Sequence, residues 1–140
     1  MISDVTNRFL TYISYDTQSK EGAEEMPSTR SQLALAEKLA EELKQMGASQ
    51  VRMDAYGYVY AKIPSNTNRD IPALGFIAHM DTAPALSGKD VKPQIIHNYD
   101  GGAICLNAEE SVFLSPEDFP ELADYKGQTL ITTDGTTLLG

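Results

Sequence analysis

The stretch that decides the fold is residues 73–78, Ala-Leu-Gly-Phe-Ile-Ala, a continuous apolar run preceded by the polar, turn-like residues 65–70. A short apolar run without polar alternation is typical of a strand buried on both faces, usually in a parallel sheet. The run leads directly into His79-Met80-Asp81-Thr82. Because ligands usually bind at the carboxyl ends of strands in open α/β sheets, this junction is the leading candidate for a site.

Two helices are predicted before this strand. In residues 2–15, apolar side chains recur at spacings of three and four, which is typical of an amphipathic helix. The second helix extends from Thr29 to Gly47, where Thr29 and Gln32 fit a capping box and Gly47 lies at a left-handed C-cap position. The polar residues 16–28 are predicted to form an exposed loop, which is either a solvated connection or a loop near a site.

Further elements are indicated around the central run. Residues 50–63 predict a hairpin that turns near Tyr56-Gly57, with its tyrosines packed across the strands. Residues 94–96 and 128–132 predict two more strands, and residues 115–123 predict a short helix. Helices that precede strands, together with one doubly buried strand, predict an α/β fold in which helices pack on a mixed, mainly parallel central sheet.

Composition excludes several partner classes. The 140 residues contain 11 Lys+Arg and 20 Asp+Glu, which gives a net charge of −9 and a pI of about 4.5. Without a basic cluster, this charge argues against binding to nucleic acid or to an anionic membrane surface. No apolar run approaches the roughly 18 residues of a membrane span, and no signal peptide is visible. Cys105 is the only cysteine and cannot form an internal disulfide, so we expect a cytoplasmic protein.

His79 and Asp81 are the residues best suited to chemistry. A neutral imidazole nitrogen is a good zinc ligand, and residues two apart in an extended chain lie on the same side. The Asp81 carboxylate is therefore placed to hydrogen-bond the second ring nitrogen of His79, as carboxylates do beside metal-bound histidines. The pattern H-x-D also occurs often by chance, and a zinc site needs three or four protein ligands.

The other candidates are weaker. His97 is the only other histidine and lies in a polar stretch that predicts an ordinary loop. Glu109 and Glu110 are adjacent, so in an extended segment they point to opposite faces and are expected to be a solvated pair. Cys105 lies between two aliphatic residues and is expected to be a small buried apolar side chain rather than a nucleophile.

Residues 77–84, Ile-Ala-His-Met-Asp-Thr-Ala-Pro, resemble the H-x-D-T-x-P motif of the di-zinc aminoacylase and carboxypeptidase superfamily of metallopeptidases. Within that superfamily, residues 22–29, 97–102 and 130–140 are similar to the bacterial tripeptide aminopeptidases. The resemblance covers the whole chain, and the four stretches together are far more specific than the H-x-D-T-x-P motif alone.

The resemblance implies an aminopeptidase that holds two Zn²⁺ ions and releases the N-terminal residue of a tripeptide by attack of a metal-activated water. The position of His79 implies a metal ligand, and that of Asp81 implies the catalytic aspartate that orients the histidine. It also implies the catalytic-domain fold of the phosphorylase/hydrolase-like zinc exopeptidases. A lid domain supports dimerisation in relatives, so a homodimer is expected for the full-length enzyme.

Length separates the remaining hypotheses. Superfamily members are much longer, so residues 1–140 are expected to be the N-terminal part of the catalytic domain, with the other zinc ligands, the general-base glutamate and the lid beyond Gly140. The chain alone is then expected to be inactive. The alternatives are a truncated fragment that binds metal weakly or not at all, and a free-standing acidic binding module. A piece predicts an open sheet edge with an exposed apolar patch, whereas a free-standing module predicts neither.

Overall fold

The computed structural model describes residues 3–139, so the predictions that involve Ile2 and Gly140 lie outside the described residues. The chain divides into two compact units, one made of Met1–Asp16 with Thr82–Gly140 and the other of Thr17–Asp81. The described elements, in chain order, are α1 (Asp4–Tyr12), α2 (Gln32–Gln45), β1 (Ser49–Met53), β2 (Val59–Lys62), β3 (Gln94–Ile96), β4 (Ile104–Asn107), β5 (Val112–Leu114), a 3₁₀ helix (Pro120–Tyr125) and β6 (Leu130–Thr132).

In the unit Thr17–Asp81, the long helix α2 packs beside the hairpin β1–β2. The C-terminus of α2 is as predicted: Gly47 adopts a φ of +83°, its N–H bonds to the Lys44 carbonyl, and the Ala48 N–H bonds to the Leu43 carbonyl. This is the Schellman arrangement that a glycine at this position favours. The predicted second helix is thus confirmed, although its first helical residue is Gln32.

The predicted capping box at the start of α2 is wrong. Ser31 occupies the N-cap position and makes no side-chain cap bond. The hydroxyl of Thr29 instead donates to the Gln18 carbonyl at 2.7 Å, and the Gln32 side chain donates to the hydroxyls of Ser28 and Thr29. The Thr29 hydroxyl and the Gln32 amide therefore bond to residues of the loop before the helix, and not to the backbone N–H groups that a capping box would satisfy.

The predicted hairpin is confirmed. Strands β1 and β2 are antiparallel, with Met53 opposite Val59. The Asp54 carboxylate accepts the backbone N–H groups of Tyr56 and Tyr58, both at 3.0 Å, and Gly57 has a φ of +85°. An aspartate at the start of the turn and a glycine in the left-handed region are what such a turn requires.

The apolar run 73–78 does not form the predicted strand. It has no ladder partner among residues 3–139, and Leu74, Phe76 and Ile77 are 80%, 89% and 101% exposed. The correction has a simple cause, since a strand needs neighbours to satisfy its backbone and to cover its faces, and the described chain supplies none here. The sequence pattern specifies a segment suited to burial but not the residues that bury it.

In the other unit, β3 pairs with β6 and β4 pairs with β5, both antiparallel. A small core is built on Tyr99, Ile104 and Leu122, and apolar side chains from all four of these strands pack against it or belong to it. Helix α1 begins after Ser3, whose hydroxyl accepts the Thr6 N–H, and it is shorter than predicted. The helix predicted over residues 115–123 is replaced by the later 3₁₀ helix.

The fold class is confirmed only in its coarser form. The described residues combine helices and strands, as an α/β protein should, but the three described sheets each have two strands and are antiparallel. A mainly parallel central sheet is therefore not confirmed. The segment predicted to be its buried parallel strand is the one that stands unpaired.

Candidate functional site

The site is centred on His79 and Asp81, which lie directly after the exposed apolar run. His79 Nδ1 is 2.8 Å from the main-chain oxygen of Asp81 and 3.3 Å from its carboxylate Oδ1. The predicted interaction between the two side chains is therefore present, and a second contact with the backbone accompanies it. Both side chains are accessible, with 80% of His79 and 43% of Asp81 exposed.

The contact with the backbone defines the histidine tautomer. A carbonyl oxygen only accepts hydrogen bonds, so the short contact with Asp81 requires the proton of the neutral ring to be on Nδ1. Nε2 then carries the lone pair, and the described residues give it no hydrogen-bond partner. An imidazole with Nδ1–H held by an oxygen and Nε2 unengaged is one of the two neutral forms in which histidine ligates zinc.

This donor set fits one position of a zinc site and not a whole one. Among residues 3–139, no group of three or more His, Cys, Asp or Glu side chains is close enough to hold a metal ion. A catalytic zinc needs about three protein ligands. His79 is therefore suited to be one ligand, and Asp81 is suited to hold it.

A cavity of about 360 Å³ within the unit Thr17–Asp81 contains both residues. The loop before α2 lines it with Met26, Pro27 and Ser28, and the β1–β2 turn lines it with residues that include Tyr58. Of the two readings of the loop 16–28, the structure thus supports a loop near a site. Tyr58 is 6.5 Å from Tyr60 between ring centroids, so a tyrosine expected only to pack also borders the cavity.

The weaker candidates lie in the other unit. His97 lies in the loop after β3, as predicted, with its Nδ1 3.5 Å from the Thr129 hydroxyl. Glu109 and Glu110 are exposed in the β4–β5 turn, as predicted. The prediction for Cys105 is wrong, because this residue is exposed: along β4, Ile104 faces the core and Cys105 faces solvent.

The stretches 97–102 and 130–139 are ordered by local hydrogen bonds. The buried Tyr99 hydroxyl donates to the Gly102 carbonyl, and burial, with the charge of Asp100, raises the pKa of Tyr99. The Asp134 carboxylate accepts the Thr136 hydroxyl at 2.6 Å and the Thr136 N–H at 3.0 Å. These bonds, with a smaller effect from the nearby Lys92 ammonium, lower the pKa of Asp134.

Comparisons with known proteins agree with the motifs. No family model matches the chain. The chain is 55% identical over 139 residues to a protein of Halothermothrix orenii, 56% over 140 to one of Brevibacillus brevis, and 58% over 136 to one of Clostridium novyi. These alignments cover 97–100% of this chain but only 33–34% of each relative, so the chain spans about a third of their length.

All three relatives are peptidases, the class that the motif around His79 and Asp81 indicates. More particularly, each of them is named peptidase T. The predicted resemblance is therefore confirmed. All or nearly all of this chain is similar to peptidase T, and it aligns with about a third of each of these relatives. Among the described residues, no helix is long and apolar enough to span a bilayer.

The tautomer of His79 can be measured directly. We expect ¹⁵N NMR of the neutral ring to show the proton mainly on Nδ1, and the Asp81→Ala variant to increase the population with the proton on Nε2. The variant removes the 3.3 Å carboxylate contact but keeps the backbone oxygen, so the change should be partial. His97 serves as the control in the same spectrum. A His79 ring protonated mainly on Nε2 in the unsubstituted chain would contradict this geometry.

The acid side of the stability profile tests the Asp134 turn. A lowered native pKa adds stability above the unfolded pKa of about 3.9, and this stability is lost as the pH falls through the native pKa. The Thr136→Val variant removes the hydroxyl donor, so ¹³C NMR should show a higher pKa for Asp134, and urea titrations should show a smaller stability loss between pH 5 and pH 2, roughly the window of carboxylate titration. An unchanged Asp134 pKa in the variant would show that the hydroxyl does not lower it.

Proposed function

We propose that this chain is the N-terminal part of a zinc-dependent aminopeptidase that releases the N-terminal residue of tripeptides. The observation that carries the proposal is the His79–Asp81 geometry in a chain 54–58% identical to peptidase T. In the complete enzyme, His79 is one ligand of a pair of Zn²⁺ ions, and Asp81 is the catalytic aspartate that holds it. The peptide lies in the cavity beside them.

The chain's own residues have separate tasks in this scheme. Bound zinc supplies a water acidic enough to attack a peptide carbonyl. Asp81 keeps the His79 proton on Nδ1, so that Nε2 remains a donor to the metal, and its negative charge makes the ring a stronger ligand. The cavity walls orient the peptide. Holding the reacting groups in place removes much of the activation barrier to hydrolysis.

Residues 71–78 support the view that the chain is a piece of a longer enzyme. Leu74, Phe76 and Ile77 are largely exposed in a segment that has no strand partner among residues 3–139, as expected where a further part of the protein packs. A free-standing acidic binding module, the second candidate, predicts neither an open sheet edge nor an exposed apolar patch. In this proposal the isolated chain is inactive, because one histidine and its aspartate cannot make a catalytic zinc site. The complete enzyme is a cytoplasmic homodimer.

A chimera tests the proposed activity. This chain replaces the matching third of the Brevibacillus brevis peptidase T, and the purified protein is assayed with tripeptides and added Zn²⁺. We expect turnover from the chimera and none from the 140-residue chain. His79→Ala should lower kcat/KM by on the order of 100-fold or more, and Asp81→Asn by about 10- to 100-fold, because both act on the metal.

Glu109→Gln is the matched control, since it changes an exposed carboxylate outside the cavity and should leave activity unchanged. A folded chimera that keeps its activity after His79→Ala would refute the metal-ligand role. Turnover by the 140-residue chain alone that disappears in its own His79→Ala variant would refute the view that the piece is inactive.

A further inference from the structure

A buried glutamine holds the loop that borders the His79 cavity. Gln32, the first residue of α2, is only 8% exposed. Its Nε2 donates to the Ser28 hydroxyl at 3.2 Å and to the Thr29 hydroxyl at 3.0 Å. We call Ser28, Thr29 and Gln32 the Gln32 cluster. A buried amide with both protons engaged is costly to disturb, because its loss leaves polar atoms without partners.

The Gln32 cluster also ties the far end of the same loop. The Thr29 hydroxyl donates to the Gln18 carbonyl at 2.7 Å, and the Lys20 N–H donates to the Ser28 hydroxyl at 3.1 Å. Residues 18–20 and 28–29 are thereby joined across the loop between them. Ordering a loop of this length costs conformational entropy, so these bonds at its base favour one loop shape.

This loop presents two apolar side chains to the cavity, and the polar residues Ser28 and Gln32 of the Gln32 cluster also line it. Met26 and Pro27 line it from the loop, and Tyr58 lines it from the hairpin. The Tyr58 hydroxyl is 3.9 Å from Met26 Sδ, so the loop and the hairpin are in contact through two of the lining side chains. The Asp54 carboxylate fixes the Tyr58 wall through the Tyr58 N–H, just as the Gln32 cluster fixes the Met26 wall.

The chemistry of the lining indicates what it accepts. A thioether, a proline ring and phenol rings suit an apolar or aromatic side chain, and thioether–aromatic contacts are favourable. Apart from His79 and Asp81, no lining residue in the described part of the chain is ionisable near neutral pH. Beside Met26, Pro27 and Tyr58, a charged peptide side chain would therefore lose hydration without gaining an oppositely charged partner.

We propose that Met26, Pro27 and Tyr58 form a specificity wall that selects an apolar side chain of the peptide substrate, and that Gln32 is the positioning residue that holds this wall. The inference rests on the proposed peptidase function and deepens it. A purely structural role for Gln32, as a tie at the start of α2, is the competing explanation, and it predicts lower stability without any change in selectivity.

The test uses the chimera with two tripeptides that differ in one side chain, leucine or aspartate. Gln32→Ala removes the amide, and Gln32→Glu keeps its size but removes both donated protons. For both variants we expect KM for the leucine peptide to rise about tenfold with kcat within about twofold, and KM for the aspartate peptide to change little. Tyr58→Ala should have the same selectivity signature.

Gln45→Ala is the matched control, because Gln45 is an exposed glutamine at the other end of α2 whose Nε2 donates to Glu41. It should leave both KM values unchanged. The proposal is overturned if the Gln32 variants leave the leucine KM unchanged, raise both KM values equally, or lower only the thermal stability. Gln32→Glu behaving like the unsubstituted chimera would also overturn it, because the donated protons would then be unnecessary.

A second measurement separates this proposal from the peptidase activity. If the chimera hydrolyses no tripeptide, the proposed function fails, and the wall is tested by NMR of the Met26 methyl group in the 140-residue chain. We expect the leucine tripeptide to shift this resonance more than the aspartate tripeptide, and Gln32→Ala to abolish the difference. Equal shifts, or none with either peptide, would overturn the wall independently of catalysis.

Discussion

The constraint that governs this molecule is that His79 follows an apolar segment that the described residues leave exposed. Leu74, Phe76 and Ile77 are exposed, and residues 73–78 have no strand partner in the described chain. A ligand to a metal has to be held within a fraction of an ångström, which rigid neighbours normally ensure. Here the contacts between His79 and Asp81 set the ring's orientation locally, while the segment that carries them remains uncovered.

The rest of the unit Thr17–Asp81 is fixed by short-range polar contacts rather than by a large core. The Asp54 carboxylate organises the hairpin turn, the Schellman bonds end α2, and the Gln32 cluster closes the loop before α2. Each of these devices lies next to the cavity or next to an element that lines it. The unit is therefore ordered around the cavity, whereas Leu74, Phe76 and Ile77 are exposed to solvent.

The sequence predicts what depends on near neighbours in the chain. Gly47 and the Asp54–Gly57 turn are confirmed because a positive φ and an aspartate-capped turn are decided within a few residues. The spacing of His79 and Asp81 likewise predicts their contact. The prediction of a buried strand at residues 73–78 is wrong because burial needs partners that an apolar pattern does not identify. The prediction that Cys105 is buried is wrong because neighbouring side chains in a strand alternate, so Cys105 points away from the face on which Ile104 is buried.

The cavity is where sequence reasoning was least complete. Met26, Pro27 and Tyr58 come from separate parts of the chain, and only the folded loop brings them to His79. The sequence predicts that Gln32 caps a helix, but it does not predict that Gln32 holds a loop. Thr29, which accepts a hydrogen bond from Gln32, bonds to the carbonyl of Gln18, and that contact forms only when the loop folds back on itself. The one signal in the sequence is the long polar stretch 16–28, which contains a proline. Of the two predictions for this stretch, a solvated connection or a loop near a site, the structure supports the loop near a site.

We propose that Nε2 of His79 ligates a metal while Nδ1 is held by Asp81. NMR of a ¹¹³Cd-substituted chimera with ¹⁵N-labelled histidine tests this ligation, because a scalar coupling between cadmium and a ring nitrogen identifies the ligating atom. We expect a coupling from ¹¹³Cd to Nε2 of His79 that is lost in His79→Ala and kept in the chimera with Glu109→Gln. A coupling through Nδ1, or cadmium bound with no coupling to His79, would contradict it.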